Sequence, residues 1–309
     1  RWEILVATFL IPTFIYGYML LGQKFPLSEA RAAGASYSSM LKEFAAPIFL
    51  FLLFLQACIG YVELGTDSWI INIMQYVIAG DAFLLFIYTS ALMFVLRFFA
   101  GPIVHRINPM GLLFASAVLA TIGLFMLGSV ATGAAILVAA TIYGIGKTFF
   151  WPTMLAVVSE RFPKGGALTL GAVGGIGMLS AGLLGGPGIG YKQDYFTTEV
   201  VRQENPAIYQ EYVSDNEQGF LFFSKTEGMD GAKVGVLLAN DPSELTPTQA
   251  RERAALQDAS IRGGQTALRW TALVPLTLAV SYLILLFYFR AQGGYRALEL
   301  EEEAKGTAS

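Results

Sequence analysis

The chain has 309 residues, 55% of them apolar and 14% charged, and its mean hydropathy of +0.56 is far above that of an ordinary soluble domain. A net charge of −3 without a basic stripe excludes a nucleic-acid partner, and a single histidine, His105, excludes a His-rich metal site. The single cysteine, Cys58, lies in an apolar run and reads as a small packing residue, so neither disulfide nor metal chemistry is expected.

Seven segments are long and apolar enough to cross a bilayer, at approximately 2–22, 47–75, 82–104, 110–129, 134–158, 167–190 and 268–290. Lipid offers no partner to a backbone N–H or C=O, so each segment is expected to be a helix and the fold class an all-α membrane bundle. The first starts at Arg1-Trp2-Glu3 without a basic n-region or a small-residue cleavage site, so it reads as a chain that begins part-way through a longer protein. After it, 23–46 is a polar, Ala/Ser-rich linker in which 36–44 can form a short amphipathic helix.

Lys24, Arg31, Lys42, Arg97, Arg106, Arg161, Lys164, Arg290, Arg296 and Lys305 all flank one side of these segments. The short connections on the other side, 76–81 and 129–133, carry no Lys or Arg, so the basic side is expected to be cytoplasmic and the C-terminus to end there. The implied localisation is multi-pass, in the cell (inner) membrane.

On the opposite side, 191–267 carries twelve acidic and seven basic residues and is expected to form a loop or small cap. Two helix starts are legible in it: Asn205-Pro206, and Thr246-Pro247 with Gln249 completing a capping box. Phe220–Phe223 and Val234–Leu238 are expected to pair as a hairpin. The remaining units are the span 268–290 and the tail 291–309, acidic and then small and polar from 299.

The unusual polar residues concentrate on two spans. The second carries Gln56, Glu63, Asp67, Trp69, Asn72 and Gln75; the fifth carries Lys147 and Trp151. Lys147 lies about 14 residues from Arg161, or on the order of 20 Å at ~1.5 Å per residue, near the middle of a ~30 Å core. A lysine there costs roughly 2.5–3.5 kcal/mol and normally has a partner or faces a wet cavity. Glu63 and Asp67 are i,i+4 on one helical face, where two close carboxylates do not both ionise readily. The expectation is that one of them carries a proton, Lys147 tunes it, and Trp69 or Trp151 stacks on a small-molecule substrate, with Gln56, Asn72 and Gln75 as weaker members of the path. Gly144, Gly146 and Pro152 allow the fifth helix to bend.

The turn Arg97–Met110 resembles the G-x-x-x-D-R-x-G-x-K loop of the major facilitator superfamily: Gly101 and Arg106 match, while His105, Asn108 and Met110 depart from it. Gly182–Gly190 resembles the G-x-x-x-G-P-x-x-G part of the antiporter signature, and the blocks 63–69, 146–155 and 159–170 look like bacterial facilitators of sugar or nucleoside type. The resemblance implies that the chain equals helices six to twelve of a twelve-helix transporter. By that alignment 1–22 belongs to the first half, which is missing, 47–190 forms five helices of the C-terminal bundle, and Arg97, Gly101 and Arg106 make a conformational turn. It further implies a non-enzymatic, cofactor-free secondary transporter, a symporter using a proton or sodium, with the lipid bilayer as its surroundings. A seven-helix receptor or a membrane scaffold is the alternative, although 279–289 holds no lysine for a retinal.

Overall fold

The computed structural model describes residues 2–77, 82–130, 133–221, 223 and 225–298; the acidic tail from 299, the connection 78–81 and residues 131–132 lie outside the described residues. Among the described residues, six helices are long and apolar enough to span a membrane: Glu3–Leu20 (α1), Pro47–Gln75 (α2), Arg106–Leu127 (α4), Gly133–Arg161 (α5), Pro163–Glu204 (α6) and Pro247–Ala291 (α7). The remaining expected span is the shorter helix Ala82–Arg97 (α3). It breaks at Phe98-Phe99 before helix resumes at Ala100. α1 buries none of its apolar window against the described residues. The linker carries the expected short helix, Tyr37–Lys42, which Ser36 caps by accepting the Ser39 N–H at 3.1 Å.

Two helices contain a π-helical turn, which adds a residue and rotates everything beyond it. In α2 it is Tyr61–Gly65 and in α6 Ala181–Gly185. The two turns face each other. A Cβ added to Gly65 would lie 2.6 Å from the Gly185 Cα, and one on Gly185 would lie 2.7 Å from the Gly65 Cα. Earlier along both helices, Gly60 is pressed on the Gly177 backbone. Glycine is required here because two backbones touch.

The turn motif differs from its expectation. Residues 100–127 form two helices that meet at Asn108, whose φ of 55° and ψ of 164° lie in a region that favours glycine, the residue the facilitator pattern has there. Asn108 holds this conformation while its Oδ1 accepts the Gly111 N–H at 2.9 Å, capping the helix that Pro109 opens. At Gly101, assigned to the conformational turn, an added Cβ would meet nothing within 4 Å. Arg106 is exposed, and the His105 side chain lies outside the described residues.

The region 191–267, expected as a loop or small cap, is built on continuations of two helices. α6 runs on to Glu204 and α7 starts at Pro247, so the two helices rise together beyond the apolar layer. Gly263 packs on the Thr197 backbone and Gly264 on Ile73, which holds the extended pair against α2. The Thr246–Gln249 capping box forms as read from the sequence. Asn205 precedes the helix Pro206–Tyr212 without a side-chain cap bond. The hairpin is Val213–Gln218 (β1) against Thr226–Met229 (β2), antiparallel, with Val213 opposite Met229 and Gln218 opposite Thr226. Phe220 lies between the strands, its ring centroid 6.2 Å from that of Tyr191. Val234–Leu238 belongs to the helix Gly231–Ala239, which Asp230 caps through the Ala232 and Lys233 N–H groups. Leu237, Val201, Tyr212, Leu256 and Ala259 form a small core separate from that of the bundle.

Candidate functional site

Two intramembrane ion pairs form where the sequence suggested one cluster. Lys147 donates to both oxygens of Asp67, at 2.5 and 2.6 Å. It is fully buried and lies 5.3 Å from the centroid of the Tyr143 ring. The lysine expected beside a wet path is therefore enclosed between α2 and α5, with Asp67 as its counter-ion. Tyr143 in turn donates its hydroxyl to the Val62 carbonyl at 2.7 Å, fixing the same two helices.

Glu63 does not share that lysine. Its Oε1 accepts from Arg97 of α3 at 3.1 Å. Glu63 sits inside the π turn and Asp67 just beyond it, and each carboxylate meets its own cation. The Glu63 Oε2 atom is buried and unpaired among the described residues.

Arg97 was read as a cytoplasmic flank and part of the conformational turn; it is instead a member of this site. Two features of the sequence mark it. It sits within the apolar run 82–104, and Pro152 has no N–H to give the Thr148 carbonyl one turn back. That freed carbonyl accepts the Arg97 Nε at 3.2 Å. Helix α5 breaks at the same place, between Lys147 and Phe150. Arg97 thus joins α3 to the break in α5 and to the π turn of α2, and its side chain remains 42% exposed.

That exposed face looks into a groove of about 510 Å³ lined by Glu63 of α2, Arg97 of α3, Trp151 and Pro152 of α5, and Gly174 and Met178 of α6. Four helices contribute to it. The Trp151 ring rests on Gly177, where a Cβ would meet it at 2.7 Å. Gln56 meets the same glycine; it is fully buried, and its amide has no partner among the described residues.

The other expected residues are elsewhere. Trp69, Asn72 and Gln75 line a second cavity of about 480 Å³ toward the outer end of α2, with Gln193 and Asp194 of α6. Trp69 Nε1 donates to Gln193 Oε1 at 2.5 Å. Among the described residues, no group of three or more His, Cys, Asp or Glu is placed to hold a metal.

No protein-family model matches the chain, and no curated protein does. Solved structures do. A bacterial homolog of the human lysosomal transporter Spinster, inward-facing and unoccupied, superposes with a TM-score of 0.60 at 15% identity, over 85% of this chain and 52% of that one. The occupied inward-facing form gives 0.55 at 14% identity, over 78% and 50%. The chain spans about half the length of the structures it matches. With the membrane-length helices, this similarity shows that the chain shares the helical membrane fold of those structures.

Proposed function

We propose that the chain is the C-terminal half of a secondary transporter that moves a small polar solute by alternating access, with the Glu63–Arg97 groove as its share of the central path. The observation that carries this reading is an ion pair within the apolar layer whose cation faces a groove built by four helices. An ionisable pair in that setting is expensive and normally marks a solute or proton route. The fold similarity to a transporter homolog about twice as long supports an upstream half facing the groove.

Coupling follows from the same pair. A proton on Glu63 removes the charge that holds Arg97, and Arg97 is then free to engage solute hydroxyls or a carboxylate. The sugar- or nucleoside-like sequence blocks favour a hydroxylated solute. Orientation keeps nine basic flanking residues once Arg97 is withdrawn from the ten, so the C-terminus is placed in the cytoplasm and the protein in the inner membrane.

The test is uptake by the full-length protein in proteoliposomes against a sugar and nucleoside panel, with and without a pH gradient. Glu63→Gln should abolish accumulation while sparing solute exchange. Unchanged accumulation in that variant would remove Glu63 from the coupling step.

A further inference from the structure

The outer cavity is separate from the groove and has a different chemistry. Its walls come from the outer ends of α2, α6 and α7, from Met229 at the end of β2, and from Gly231 and Val234 of the helix after it. Its volume of about 480 Å³ lies within the ~300–1,000 Å³ range of small-molecule pockets. Among the described residues no Lys, Arg or His lines it, and Asp194 is its single charge. The polar lining is otherwise three carboxamides, Asn72, Gln75 and Gln193, together with the hydroxyls of Thr197 and Ser260.

Several of these groups are fixed in place. An indole N–H only donates, so the Gln193 atom facing Trp69 is the amide oxygen, and its NH₂ is left to donate to a ligand. The Trp69 ring lies on Gly190, at 3.0 Å from where a Cβ would stand. The Asp194 carboxylate lies against the bare backbone of Gly228 in β2, so the outer segment holds it from one side. Each carboxamide both donates and accepts, as a pair of neighbouring hydroxyls does. The absence of a cation disfavours anions, and an indole wall suits the C–H face of a ring.

We propose that this cavity is an extracytoplasmic binding site for a neutral, hydroxyl-rich small molecule, such as a sugar. Trp69 supplies an apolar wall, and Asn72, Gln75, Gln193 and Asp194 bond the hydroxyls. Binding here requires no transport and does not depend on the groove.

The experiment is equilibrium titration of the full-length protein in nanodiscs, followed by tryptophan fluorescence, with methyl glucoside as probe and choline and acetate as charged comparators. Saturable binding of methyl glucoside is expected. Asn72→Ala and Asp194→Asn should each raise its Kd about tenfold or more, the size of a lost hydrogen bond to a polar or charged group. Glu63→Gln, which acts in the groove, should leave that Kd unchanged, while uptake by the same preparation reports on the transport reading separately. Gly228→Val, which displaces the Asp194 carboxylate without altering it, should also weaken binding. Saturation by choline and not by the glucoside would overturn the proposal, as would no binding of either, or glucoside binding lost in Trp151→Ala and retained in Asn72→Ala. Size-exclusion profiles and unfolding temperatures of each variant separate loss of binding from loss of fold.

Discussion

Lys147–Asp67 and Glu63–Arg97 lie within one stretch of α2, yet one pair is enclosed and the other opens on a groove. In the first, the lysine has no exposed surface and both carboxylate oxygens are taken. In the second, the arginine is 42% exposed, and one carboxylate oxygen has no partner among the described residues. The comparison teaches that an intramembrane charge is not by itself a working group. A fully matched pair holds two helices in register, whereas an incompletely matched pair at a groove is available to exchange partners.

The largest effect should come from breaking the enclosed pair. Lys147→Met leaves Asp67 without its counter-ion and should cost about 3–5 kcal/mol, read as a fall in the unfolding temperature of the detergent-solubilised protein. Adding Asp67→Leu removes the stranded charge and should recover most of that loss. A double variant no more stable than the single one would show that the pair does more than balance charge.

Next come the glycine contacts. Gly185→Val forces two touching backbones apart and should cost about 1–3 kcal/mol, with a matching loss from Gly65→Val and less than the sum of the two in the double variant. Thr246→Ala removes the cap of α7 and should cost about 1 kcal/mol, seen as faster hydrogen exchange in its first turn with the bundle unaffected. The smallest effect lies in the outer core. Burial, and then the hydrogen bond to Glu252, push the Tyr212 hydroxyl up from an ordinary value of 10.0 to about 12. Raised in the folded state, it contributes stability that is complete below pH 10.0 and lost as the pH rises through about 12. The outer segment should therefore loosen in that window, and Tyr212→Phe should remove the transition from near-ultraviolet circular dichroism.

The spans were legible because lipid admits only long apolar helices, and the Thr246 box because capping is local chemistry. Their outer ends were not. Residues 191–204 and 247–267 are polar enough to read as loop, and they are helical because α6 and α7 support each other through Gly263 and Thr197. Phe220–Phe223 and Val234–Leu238 looked strand-like, but Phe220 is held among aromatic rings at the hairpin turn, and the Asp230 cap commits the second segment to helix. At the site, hydropathy singled out Glu63, Lys147 and Trp151 and lost Arg97, because a basic residue near a span end was read as flank. The split of partners, Glu63 to Arg97 and Asp67 to Lys147, was not legible from the i,i+4 spacing, because it depends on which cation the neighbouring helices bring to each carboxylate.

The contact between the π turns of α2 and α6 limits how these two helices can move. Where Gly65 and Gly185 meet, sliding is restricted, since shifts that bring Leu64, Thr66 or Leu184 to the contact would put a side chain into a space that holds only hydrogen. The helices can swing about the point while remaining in touch. The crossing is thus a pivot, and rearrangement of the groove should be sought as a scissoring of α2 and α6 on either side of it.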